Sequence, residues 1–200
     1  MGSILKHVRG FLSWIVFMVF PNSMVAWAAL AGLVVSLVLF VQDRRRGIKL
    51  DALVLDVATL FFFAALGIAA FADRHAPLGA WSSALSFGWL GVVAWGSIAV
   101  GHPFTLGMAK RREPREIWDQ PSFKQSMVAL TRLWAIVFTL ITLALAVCVP
   151  THQSTVLTVS VRFGGLAIGA YLTSRHIKAA RQGAAGPRHS AQPVSRSVAG

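Results

Sequence analysis

The chain has 200 residues, 56% of them hydrophobic and only 13% charged, with a mean hydropathy of +0.64. Soluble domains carry about 25% charged residues and about 45–50% apolar ones, so this composition excludes an ordinary water-soluble globule and points to a lipid solvent. The net charge is +12, which in a soluble protein would suggest nucleic acid. Here the cations cluster between apolar blocks, where they read as orientation signals and headgroup contacts, and no nucleic-acid partner is expected. The single cysteine, Cys148, excludes an intramolecular disulfide and a Cys-rich metal site, and serves most simply as a small hydrophobe.

A membrane-crossing helix needs about 20 mainly apolar residues. In chain order the first candidate is Ile4–Phe20, which is short and carries Lys6, His7 and Arg9 near its start. Pro21, Asn22 and Ser23 then make a turn. Met24–Gln42 follows, and then four stretches that meet the length test well: Leu50–Ala72, Gly79–Gly101, Ser126–Val149 and Ser154–Thr173. The N-terminus can also be read as a secretory signal with Ala26-Trp27-Ala28 at the cleavage site. Cleavage there would leave only Ala29–Gln42 before a charged run, too short to cross, so an uncleaved hairpin is the preferred reading. The expected fold is all-α: a polytopic transmembrane bundle over residues 1–180, with six spans arranged as three antiparallel hairpins. Residues 181–200, rich in Gly, Ala, Ser, Pro and Arg without an apolar period, are expected to form a disordered basic tail.

Lysine and arginine set the orientation. With Lys6 and Arg9 inside, sixteen of the nineteen cations fall on the inner side and Arg74 alone falls outside, while Arg132 and Arg162 lie within spans. Both termini are therefore expected in the cytoplasm. The outer links, Pro21–Ser23, Asp73–Leu78 and Pro150–Gln153, are short, as antiparallel neighbours require.

Ionisable groups inside a span cost about 2.5–3.5 kcal/mol at its centre on insertion scales, so Asp56, Arg132 and Arg162 are the candidate functional residues. At 1.5 Å per residue, Asp56 and Arg132 each sit roughly 9 Å inside the inner edge of their spans. Their matched depth predicts an ion pair. Arg162 lies nearer the midplane and shares a helical face with Thr155, Thr158, Gly165 and Gly169, a small-residue surface that lets another helix approach closely. The three charges read first as a packing network and second as the lining of a solute or anion path. Two arginines around one carboxylate would hold it ionised, which argues against Asp56 as a proton carrier.

The longest inner connection, His102–Gln125, contains Pro103, Pro114 and Pro121, so it cannot be one helix. Phe104, Trp118 and Phe123 alternate there with Lys110, Arg111, Arg112 and Arg115, a pattern suited to anionic phospholipid headgroups, with a protein partner or a lid as alternatives. Pro103-Phe104-Thr105, Ala109-Lys110, Trp118, Pro121-x-Phe123, Leu130-Thr131 and Trp134-x-x-x-Phe138 resemble a pattern in small six-span bacterial proteins that are loosely septation-protein-A-like. The Lys-Trp-Lys-Pro-type segments of septation protein A itself are absent. The resemblance implies residence in a bacterial inner membrane.

Enzymatic readings find no support. There is no HExxH, GxSxG or Walker A sequence, and the six histidines lie at span ends, in loops or in the tail. Neither a metal nor a cofactor is expected. The chain is expected to be a structural or partner-binding membrane protein, through a membrane-protein partner or a second copy of itself, with small-solute or anion transport through Arg162, Asp56 and Arg132 as the alternative.

Overall fold

The computed structural model describes residues 12–73, 75–111, 115–151 and 154–184, with backbone alone for Asp51, Thr155 and residues 178–184. Among the described residues there is no strand. The α-helices are α1 (Leu12–Val19), α2 (Val25–Arg45), α3 (Val54–Ala72), α4 (Leu78–Ala99), α5 (Phe104–Lys110), α6 (Pro121–Cys148) and α7 (Thr155–Ala184). Single 3-10 turns at Asn22–Met24, Leu50–Ala52 and Arg115–Ile117 join some of them.

Among the described residues, five helical stretches are long and apolar enough to cross a membrane: Asn22–Arg45, Val54–Ala72, Leu78–Ala99, Pro121–Cys148 and Val156–Ile177. The shortest, with 19 residues, covers about 28 Å, close to the thickness of a hydrocarbon core. Large apolar side chains such as Val34, Phe61, Val92, Leu140 and Ile168 face outward. The expected sixth span, Ile4–Phe20, is described only over the eight residues of α1, and Met1–Phe11 lie outside the described residues. α1 nevertheless belongs to the core: Trp14 stacks on Phe62 at 5.1 Å and lies 5.0 Å from Phe63, which is itself fully buried. α7 continues to Ala184, four residues into the segment expected to be disordered. Residues 185–200 lie outside the description.

Small residues decide which helices pair. Along α2, Ala28, Ala29, Gly32 and Ser36 are buried, and the ring of Phe63 sits so close to Gly32 that a Cβ there would lie 2.9 Å from it. On α4, Gly88 faces Thr142 and Gly91 faces Thr139 and Phe138 of α6. Gly165 and Gly169 of α7 receive Ile141 and Trp134 of α6. These are the close backbone approaches that hold helices together where the hydrophobic effect cannot.

The hairpin expectation meets this packing only in part. α1 packs on α2 and α6 on α7, as short links require. α3 and α4, joined by residues 73–77, touch little and turn to other neighbours: α3 to α2, and α4 to α6. A short link fixes which ends are adjacent, whereas complementary surfaces fix which faces meet. What joins α3 to α4 is Trp89, which donates from Nε1 to the Ala58 carbonyl at 2.9 Å and stacks on Phe61. Three buried hydroxyls are satisfied within their own helices: Ser36, Thr59 and Ser86 each donate to the carbonyl four residues back.

Candidate functional site

The charged chemistry collects at the end of the bundle where α2 and α4 finish. Both helices stop in the same way. Gly47, at φ 79°, donates its N–H to the Arg44 carbonyl at 3.0 Å, and Ile48 donates to Asp43 at 3.1 Å. Gly101, at φ 74°, donates to Ile98 at 3.0 Å, and His102 to Ser97 at 2.9 Å. These are paired glycine caps, in which only glycine takes the left-handed backbone without a Cβ clash.

After the second cap, α5 turns back into the protein. The Phe104 N–H donates to Ser97 Oγ at 3.2 Å, the Thr105 and Thr131 hydroxyls pair at 2.6 Å, and Thr105 also donates to the Met127 carbonyl at 2.8 Å. Gly107 lies against the backbone of Ala52, where a Cβ would come within 3.0 Å of the carbonyl oxygen. Phe104 is therefore a core residue, 5% exposed, and not the headgroup contact expected of it. It belongs to a short helix docked among α3, α4 and α6.

Docking α5 delivers Arg111 to two carboxylates. Its Nη1 donates to Asp43 Oδ2 at 3.2 Å, and its Nη2 to Asp56 Oδ2. Nη2 and Nε also donate to the Ala52 carbonyl, at 2.8 and 3.2 Å. Asp43 is 3% exposed at the end of α2, and Asp56 sits in the first turn of α3. One guanidinium thus ties three helices and a turn together. Asp56 at a helix N-terminus is favoured by the helix dipole, whereas Asp43 at a C-terminus opposes it. That misfit was the sequence signal that Asp43 has a dedicated partner.

The anticipated Asp56–Arg132 pair is replaced by Asp56–Arg111. Arg132 is exposed on α6, where its long stem can carry the charge toward the interface. Arg162 is partly buried on α7, donating from Nη2 to Ser83 Oγ on α4. Asp56, Arg132 and Arg162 are not brought together.

Outside the Arg111 set lies an open groove of about 810 Å³ between the two glycine caps. Arg46, Lys49, Lys110, Arg111, Arg115 and Lys124 line it against one carboxylate, Asp119. Lys124 pairs with Asp119 at 3.0 Å, and Arg46 lies 3.6 Å from Asp43. Lys110 and Arg115 stand over the Trp118 ring at 5.6 and 5.7 Å from its centroid, near enough for cation–π attraction. Of the residues expected to meet anionic headgroups, Lys110, Arg115 and Trp118 share the outer wall, Arg111 has turned inward, and Arg112 lies outside the described residues. Arg46 and Lys49 were missed because the sequence puts them on a segment far from this loop, and Lys124, inside the loop, was read only as one of the inner cations. Among the described residues no group of three or more His, Cys, Asp or Glu side chains is placed to hold a metal.

Over the described residues, fold and site together define an all-helical protein with five helices of membrane-crossing length and a basic groove at one end. Compared with known proteins, the chain matches no protein-family model, no curated protein and no solved structure.

Proposed function

We propose that this chain is a multi-pass inner-membrane protein with a structural or partner-binding role, six spans and both termini in the cytoplasm. Its basic groove would face the cytoplasm and engage anionic phospholipid headgroups. The observation that carries this reading is the fate of the charges on the apolar helices. Arg111 closes Asp43 and Asp56 into a hydrogen-bonded set at the base of α5, which is how charges serve packing. A transport path would need polar groups along the middle of the bundle. There the buried residues are mostly apolar, Phe62, Phe63, Leu90, Ala135 and Phe138 among them, and the Ser36 hydroxyl is spent on the Gly32 and Leu33 carbonyls of its own helix. The groove shares no lining residue with the small cavity beside Arg162. The resemblance over residues 101–145 supports inner-membrane residence, and the absence of catalytic motifs supports a non-enzymatic role.

Cysteine accessibility tests this. In a Cys148→Ala background, single cysteines replace Leu90 and Ala135 in the helix middles, His75 in the link after α3, and Ser122 at the start of α6. A membrane-impermeant thiol reagent applied to intact cells is expected to label the His75 position and leave the other three silent. Labelling at Ser122 instead would invert the orientation. Labelling of both mid-helix positions by small water-soluble reagents would reveal a wet path and replace the structural reading with transport.

A further inference from the structure

The end of the bundle opposite the groove holds a small cavity of about 30 Å³, lined by the end of α1, the start of α2, Ser82, Ser83 and Ser86 of α4, and Arg162 of α7. We infer that this cavity is a binding site for a small monovalent anion of halide size, held by the Arg162 guanidinium and the Ser83 hydroxyl. The inference goes beyond the structural role proposed above, which needs no anion.

Charge balance is the first argument. The sequence has seven carboxylates. Among the described side chains, Asp43, Asp56, Glu116 and Asp119 lie on the segments around the basic groove. Asp73 belongs to the other end, where its Oδ1 accepts from the N–H groups of His75 and Ala76 at 2.9 and 3.2 Å and does not line the cavity. Arg162 therefore has a hydroxyl, and no carboxylate, as its partner among the described residues. Its Nε is buried without a hydrogen-bond partner. An ionised guanidinium in apolar surroundings demands a compensating negative charge or several strong acceptors.

Helix dipoles do not decide the sign of the field here, because α2, α4 and α7 begin at this end while α1, α3 and α6 finish there. No side chain caps the N-terminus of α2 or of α4. Ser82 and Ser86 spend their hydroxyl protons on the carbonyls of Gly79 and Ser82. Ser83 accepts from Arg162 and keeps its own proton to donate. The donors toward the cavity are thus one guanidinium and one hydroxyl, a set that neutralises a single negative charge. The cavity has room for a water-sized occupant, and so for a halide.

The test is thermal unfolding of the full chain in a phosphate-free maltoside detergent, starting in gluconate and titrating chloride at constant ionic strength. A ligand that binds only the folded state raises the midpoint in a concentration-dependent way. Chloride and bromide are expected to raise Tm by several degrees and to saturate, whereas gluconate does not. Arg162→Gln should abolish the response. Ser83→Ala, which removes one hydroxyl and keeps the charge, should weaken chloride affinity several-fold and remains informative if Arg162→Gln fails to fold. Arg132→Gln should respond as the wild type does. Equal Tm in chloride and gluconate would overturn the proposal. So would an undiminished response in Ser83→Ala and Arg162→Gln, which would mean an adventitious ion only. Stabilisation by added phospholipid with none by chloride would also overturn it, assigning Arg162 to a headgroup phosphate.

Discussion

Arg111 shows how little a residue's own sequence context says about its task. It sits between Lys110 and Arg112 in a basic run that looks uniform, yet its side chain is 18% exposed and shared between two carboxylates. Removing one partner from such a set leaves the others charged and desolvated, which is worse than never having had the pair. Arg111→Gln is therefore expected to destabilise the folded protein by about 3 kcal/mol or more, measured by chemical or thermal unfolding in nanodiscs. Arg132→Gln, on an exposed side chain, should leave stability nearly unchanged. Equal losses from the two substitutions would show that Arg111 is no keystone. Depth arithmetic had paired Asp56 with Arg132, and depth was the right coordinate to estimate. It is only one of two. Which way a residue faces around its helix, and which helix lies there, decided the partner.

Among the elements, the two glycine caps and the short α5 do the positioning. Gly47 and Gly101 end α2 and α4 in a left-handed turn, so the chain leaves each helix toward the groove between them. Gly47→Ala and Gly101→Ala should each destabilise by about 1–2 kcal/mol, the usual penalty for an L-residue in that conformation; no change in unfolding midpoint would argue that the caps relax freely. Gly32 makes a different demand, since its backbone is an ordinary helix and the constraint is the Phe63 ring. The prolines of the His102–Gln125 connection were legible as breaks in any continuous helix, and Pro103 and Pro121 stand at the starts of α5 and α6. The burial of α5 was not legible. Phe104 and Trp118 look alike as interfacial aromatics, and only the docking of Thr105 on Thr131 sends one inward while the other stays beside Lys110 and Arg115.

At the scale of the molecule the two ends are chemically opposed. Among the described side chains, one carries the cationic groove and most of the carboxylates, and the other carries the small cavity and Arg162, whose partner is a hydroxyl. A groove lined by cations should favour an anionic bilayer surface by about 1 kcal/mol for each Lys or Arg near it. In nanodiscs, raising the fraction of anionic phospholipid should raise the unfolding midpoint of the wild type, and the effect should shrink in Lys49→Gln/Arg115→Gln and fade at high salt. An unchanged lipid dependence in the double variant would remove the groove from the account.

The sequence alone determined the helical class and the boundaries of the long apolar helices to within a few residues, except at the far end of α7. Both depend on a local property: the length of an apolar run or a proline. The order in which the helices pack lay beyond it, as did the burial of Asp43 and Phe104 and the choice of Arg111 over its neighbours. Those depend on which surfaces meet, and surfaces are complementary only in three dimensions. Gly32 accepts Phe63, and Gly165 accepts Ile141, across long separations in the chain. Tertiary structure also decided the site, because a groove built from residues 46–52 and 101–128 does not exist until α5 folds between them.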